Sequence, residues 1–383
     1  MSKTSILSLL FLIWALSFPI LGQKTVSDQE GNRIPLKNCK DYSDLSKQIL
    51  LLTGSDREKT EAIYDWIIDN IRYNYKADYS SNFKIQTDPV HIVDSKIAIC
   101  SEYVILLSDL LSKANIRSES VTGYCKNCES ADGIFAIPTH VWSAVFLDSS
   151  WMIMDVTWDA VLSKPKHKKN PFRSKKYFLK SSKEFLIDHL PAMPMWQLSD
   201  SIMTLDGFTH SSYNGGYEEY GKSYKKSIEY FSSLSPFFKR LEESKVTYEF
   251  NPSSKNANAY GQNLLDQASM MVDSLDESDR SSYFENKNLR NSIIHMCRTA
   301  EQLVDKMHTW QWEMYAGVVI NEIVDTYNND PKNDWTKENW NALMNEIRRA
   351  RYILQNIENT YYKESSLAVC EEIEIAIQDY IDQ

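Results

Sequence analysis

Beyond Lys255 the chain has only two glycines, Gly261 and Gly317, and one proline, Pro331. Glycine and proline are the main interrupters of regular structure. A stretch this poor in them, with apolar residues recurring every three to four positions, is constrained to long helices that bury a shared face. Segments near 259–273, 284–306, 308–327, 335–359 and 364–381 carry the period. Residues 256–383 are therefore expected to form an all-α domain, and no clean repeat marks them as a solenoid. His295 and His308 lie there without thiol or carboxylate companions at ligand spacing, so they read as structural.

The whole chain, 383 residues, suggests roughly two domains. Its balance is acidic, 42 Lys and Arg against 52 Asp and Glu. A general role in coating nucleic acid is excluded, because phosphate binding needs a basic face. Lys3 precedes an apolar run from Ile6 to Leu21, and Gly22 offers a small residue for cleavage. That is the pattern of a secretory signal over 1–22. An uncleaved anchor is the alternative, but the run is short for a span and is broken by Ser8, Ser17 and Pro19. The expected protein is exported, periplasmic or secreted, with no stable membrane span after cleavage. In that setting Cys125 and Cys128 read first as a local disulfide, then as two free thiols, and last as a redox pair.

Between a short N-terminal segment, 23–55, and a Ser/Asn/Gly-rich shift at Ser211–Tyr217 lies a mixed region. Ser55-Asp56-Arg57-Glu58 fits a capping box, and Ile63, Trp66, Ile67 and Ile71 form a helical stripe over 55–72. From Ser101 to Ala114 the residues Tyr103, Val104, Leu106, Leu107, Leu110, Leu111 and Ala114 make one broad apolar face, with Asn115 as a stop signal. Strands are expected at 117–124, 140–147 and 151–158, the last two flanking a turn at Asp148-Ser149-Ser150. Seven Lys or Arg between Lys164 and Lys176 suggest a solvated loop rather than an anion-docking patch. Residues 56–200 are read as one α+β core and 201–255 as a linker.

A nucleophilic thiol needs a site that favours the thiolate, a base in reach and a group that orients the base. Cys100 opens the second helix, where unpaired N–H groups and the helix dipole favour negative charge. His140 begins a strand in Thr139-His140-Val141-Trp142, and Asp155 follows in Asp155-Val156-Thr157-Trp158. Each residue alone is a weak signal, and the ordered combination is far more specific. Strand geometry poses a difficulty. A two-residue turn at Ser149-Ser150 puts Asp155 opposite Ala144, roughly 13 Å along the strand from His140. A bulge, another register or a folded-back start at His140 is required.

These residues carry a resemblance. The stretch from about Lys59 to Leu198 resembles the transglutaminase-like superfamily, in the branch similar to the kyphoscoliosis peptidase. The matching pieces are Tyr64-Asp65-Trp66-Ile67, Asn70-Ile71-Arg72-Tyr73, the Cys100 helix, Val121-Thr122-Gly123-Tyr124, His140-Val141-Trp142 and Asp155-Val156-Thr157-Trp158. Tyr177-Phe178-Leu179, His189-Leu190-Pro191 and Trp196-Gln197-Leu198 resemble the segment that closes this core. The resemblance implies a papain-like fold with an antiparallel sheet, a buried nucleophile helix and a catalytic triad of Cys100, His140 and Asp155. Relatives usually carry glycine two residues before the cysteine and often two after, where this chain has Ala98 and Glu102, so Glu102 is expected to narrow or recharge the cleft. The implied activity is thiol-dependent acyl transfer on peptide amides, foremost hydrolysis. Protein cross-linking and a non-catalytic peptide- or glycan-binding scaffold are the alternatives. The expected partners are a protein or peptide substrate and a protein bound by the C-terminal helices. No metal or organic cofactor is implied, and no acidic loop suggests calcium.

Overall fold

The computed structural model describes residues 36, 39, 41–77, 84–126, 135–163, 172–210, 216–273, 287–329 and 332–382. The expected signal, Cys128 and most of the basic run after Lys164 lie outside these residues. The first helices follow their sequence signals. In α2 (Asp56–Asn70) the Glu58 amide donates to Ser55 Oγ and the Ser55 amide to Glu58 Oε2, completing the capping box. Helix α4 (Cys100–Lys113) ends where Asn115 turns left-handed at φ 58°. Tyr103, Leu106, Leu107, Leu110 and Leu111 of α4 bury their face against Ile63, Tyr64 and Ile67 of α2. Burying one such side chain stabilises by about 1.5–3 kcal/mol. This seam therefore holds the start of α4, and Cys100 with it.

Beneath α4 lies a four-stranded antiparallel sheet in the order β5-β4-β3-β6, formed by β3 (Ser118–Cys125), β4 (His140–Leu147), β5 (Ser150–Met154) and β6 (His189–Pro191). Val145 and Leu147 face the α4 side, while Val121, Trp142, Ala144 and Ile153 build a second core with Trp196 and Phe231. The hairpin turn is Asp148-Ser149, both with positive φ, and Leu147 pairs with Ser150. The register is thus shifted by two residues from a turn at Ser149-Ser150. The strand also stops early. At Asp155 the carboxylate Oδ1 accepts from the Trp158 amide at 3.0 Å and caps helix α5 (Val156–Leu162), so residues 156–158 are helical rather than strand. A short side chain that can bond its own backbone favours a cap over a ladder.

The stretch 201–255, read as a linker, is folded onto this core. A hairpin of β7 (Ser201–Met203) and β8 (Tyr217–Glu219) precedes helices α8 (Tyr224–Ser233) and α9 (Pro236–Phe250). Ile228 and Phe231 of α8 are buried against Trp142 and Trp196. Among the described residues strand β6 pairs with Gly123–Cys125, and side chains of α9 reach Glu119 and Thr122 in the rest of β3. Lys239 Nζ bonds Glu119 at 2.7 Å, and Asn251, just past α9, donates to the Tyr124 hydroxyl at 2.9 Å. These contacts are between residues more than a hundred positions apart, which local pattern cannot reveal. Arg173 and Lys175 of the basic run pair with Asp65 and Asp69 of α2.

Among the described residues five long helices follow: α10 (Ser254–Asp273), α11 (Lys287–Leu303), α12 (Thr309–Asn329), α13 (Lys337–Gln355) and α14 (Thr360–Asp382). They correspond to the five periodic segments. Leu265, Ile293, Cys297, Val319, Ile347 and Ile377 share one core. Arg290 is fully buried, with its guanidinium bonded to Glu322 and Asp325 of α12. Among the described residues no helix is long and apolar enough to cross a membrane.

Gly123 sits where β3 meets both neighbours, opposite His140 and Pro191. A Cβ there would come within 2.3 Å of the Leu190 carbonyl and 2.4 Å of the Trp142 ring. The carbonyl belongs to the strand ladder and cannot swing away. Gly123→Ala should therefore lower stability by about 1–3 kcal/mol, the usual cost of forced overpacking. Thermal unfolding followed by circular dichroism checks this, and a wild-type melting temperature would show that the approach is not a constraint.

Candidate active site

Cys100 is the first residue of α4, half-buried, and Ile99 before it is extended. Ala98 anchors that approach, pairing with Tyr73 in the parallel bridge of β1 (Arg72–Tyr73) and β2 (Ile97–Ala98). Glu102 is buried, with Oε1 accepting from the Gln86 amide at 2.8 Å and Oε2 from the Ile99 amide at 2.9 Å. The carboxylate is consumed in tying the 84–88 segment to the helix start, which the third position of a helix favours.

The structure brings two of the sequence-derived candidates, His140 and Asp155, into contact. His140 Nε2 lies 2.7 Å from Asp155 Oδ2, with both side chains buried. Cys100 lies near enough to act on the same imidazole, adding to the effects that favour its cation. The register shift and the end of β5 explain the approach. Continued as a strand, Asp155 would fall beside Trp142, two residues from His140 rather than four. At the actual junction its carboxylate reaches back across that gap. The backbone of Asp155 is also pinned, its amide donating to Tyr177 O at 3.0 Å and its carbonyl accepting from the Tyr64 hydroxyl at 2.8 Å.

Burial by itself would depress the His140 pKa. The Asp155 charge and hydrogen bond, joined by the Cys100 side chain, outweigh it and raise the value to about 10. Burial acts on Asp155 in the opposite sense, yet the charge and hydrogen bond of His140, followed by those of His189, hold it well below the usual carboxylate range. The site therefore contains a buried cation–carboxylate pair next to a thiol at a helix N-terminus. That arrangement can form a thiolate and return a proton to a leaving group.

His189 was not among the candidates. Its fully buried ring places Nε2 3.2 Å from Asp155 Oδ2. The only sequence signal was its place in His189-Leu190-Pro191 of the closing segment, since no spacing rule relates it to a residue 34 positions earlier. His140, Asp155 and His189 bring three donor atoms within 4.8 Å, a separation that a cation could use. Here both Nε2 atoms point at one carboxylate oxygen, which is a hydrogen-bond arrangement rather than a ligand set. Trp142 and Trp158 pack beside the imidazoles with ring centres 5.1 and 4.3 Å from His189. A separate cavity of about 680 Å³, lined by Met193, Tyr220, Phe231 and Glu242, contains none of the three candidates.

Cys125 is disulfide-bonded, whereas Cys39, Cys100, Cys297 and Cys370 are free. Cys128, its expected partner, lies outside the described residues. Burial pushes the Cys297 thiol up to about 12, so it is a packing group without thiolate chemistry at neutral pH.

Residues 43–156 match the model of the transglutaminase-like superfamily. The kyphoscoliosis peptidase of Mus musculus is 28% identical over 197 residues, covering 49% of this chain and 28% of that protein. Hillarin of Drosophila melanogaster is 23% identical over 196 residues, covering 47% of this chain and 24% of its own length. The chain thus spans about a quarter of the length of these curated relatives. A solved TGase structure is 19% identical, covering 35% of this chain and 34% of that one with a TM-score of 0.24. Matched model, antiparallel sheet and helix-borne cysteine agree that residues 43–156 are a transglutaminase-like domain.

Proposed function

We propose that the protein is a thiol-dependent acyl-transfer enzyme acting on peptide amides, and that its principal reaction is hydrolysis. The reading is carried by the buried His140–Asp155 pair at 2.7 Å, with Cys100 near enough to act on the imidazole. Cys100 Sγ attacks the amide carbonyl carbon and forms a C–S bond. His140 gives its proton to the nitrogen as the C–N bond breaks, and the amine leaves. Water then attacks the thioester, passing a proton to His140, and the acid departs as the thiol is restored. Asp155 keeps the imidazole in one tautomer and stabilises its cation. The amides of the first turn of α4 are suited to hold the developing oxyanion. The word peptidase in the name of the mouse relative supports hydrolysis. Export belongs to the same reading, supported by the Cys125 disulfide, since such bonds persist in oxidising compartments.

Incubation with a mixed peptide pool, read by mass spectrometry, separates the reactions. Hydrolysis gives fragments that together have gained one water, and cross-linking gives joined peptides that have lost ammonia. A pool left unchanged by wild type, with Cys100 reacting no faster than free cysteine, favours the scaffold alternative. Cys100→Ala should abolish turnover while leaving the melting temperature within a few degrees, because a half-buried cleft thiol adds little packing. Asp155→Asn should impair turnover by up to about 10⁴-fold, the loss known for the analogous change in serine-protease triads.

The pair also predicts a pH dependence of stability. His140 is raised from an ordinary value of about 6.5, so its contribution is complete below about pH 6.5 and is lost as pH rises toward about 10. Asp155 is depressed, so its contribution is present above about pH 4 and is lost only in stronger acid. The melting-temperature difference between wild type and His140→Gln should be largest between about pH 4 and 6.5 and shrink toward pH 10. A difference that stays constant from pH 6 to 10 would contradict the assignment.

A further inference from the structure

Asp155 Oδ2 serves two imidazoles. His140 Nε2 meets it at 2.7 Å and His189 Nε2 at 3.2 Å, while Oδ1 is occupied by the helix cap. The far side of His189 is held as well. Its Nδ1 lies 2.7 Å from Asp188 Oδ1, and Asp188 Oδ2 accepts from the Tyr177 hydroxyl at 2.7 Å. Trp158 and Phe185 clamp the ring, each with its centre 4.3 Å away. A ring held at both nitrogens and between aromatic faces has one orientation. In so aromatic a nest a phenyl ring would fill the same space without the desolvation cost of a buried imidazole and a second carboxylate. The polar version is thus not required for packing.

We propose that His189, braced by Asp188, is a positioning residue for the triad: it fixes the Asp155 carboxylate so that Oδ2 is aimed at His140, and it sets how firmly the His140 ring is held for Cys100. The proposal rests on the acyl-transfer reading above. The other titratable groups facing this cluster are Tyr64 of α2, Asp159 of α5, and Lys176 and Tyr177 ahead of β6. Without the His189 donor, Asp155 keeps its cap but loses the contact that orients its second oxygen.

The test is the rate of Cys100 alkylation by iodoacetamide on the full chain from pH 5 to 9, read as the modified peptide by mass spectrometry. Wild type should react faster than free cysteine and keep its rate further toward acid. His189→Phe should keep the melting temperature within a few degrees, react at least ten-fold slower at pH 6.5, and move its acid limb up toward the free-cysteine value of about 8.5. His189→Gln, which keeps an N–H near the Nε2 position, should recover to within about three-fold of wild type by the same donor logic. A wild-type profile for His189→Phe, whatever its melting temperature, overturns the proposal and leaves the acyl-transfer reading intact. Wild-type Cys100 reacting like free cysteine overturns both. Should His189→Phe not fold, Asp188→Asn decides, since it loosens the brace while keeping the ring. A ten-fold slower reaction supports the proposal, and a wild-type rate overturns it.

Discussion

A carboxylate removed from water is stable only where donors replace its hydration, and Asp155 is fully buried. The surrounding elements are arranged to meet that requirement. The α5 amide of Trp158 takes one oxygen, and imidazoles from β4 and β6 share the other. Tyr64 of α2 and the loop at Tyr177 hold its backbone. One residue thereby ends β5, starts α5 and ties β4 and β6 to helix α2. An isolated strand-end aspartate would demand none of this.

The parts of the molecule legible in sequence are those governed by local period and local capping. The Ser55–Glu58 box, the apolar face of α4, the left-handed stop at Asn115 and the five C-terminal helices all arise within one or two helical turns. Cys100, His140 and Asp155 were legible as an ordered set because motif context supplied what spacing could not. The hairpin register was not, because Asp148, Ser149 and Ser150 are all competent turn residues. Choosing between them shifts every pair by two positions. Asp155 was read within a strand over 151–158, and its capping bond to Trp158 outweighs the ladder.

His189 and the 201–255 stretch were hidden for a different reason. Their identities are ordinary, a histidine before a strand end and several short elements, and their meaning comes only from partners distant in sequence. Glu102 shows the converse. Its departure from a small residue looked like a change of cleft chemistry, yet both oxygens are occupied by backbone amides. A charged side chain beside a nucleophile can be wholly architectural when the chain around it supplies donors.

The placement of α9 bears on how the chain can be built. The match to the superfamily ends at residue 156, but the helix that runs beside the open half of β3 lies at Pro236–Phe250, and the side chains closing the Trp142 face come from α8. A nascent chain released only as far as the matched segment carries β3 with bare hydrogen-bonding groups on one flank and an uncovered aromatic surface on one face, the features that invite sheet-to-sheet association. The unit that must emerge from the ribosome before the sheet is protected is therefore nearly a hundred residues longer than the unit that kinship defines.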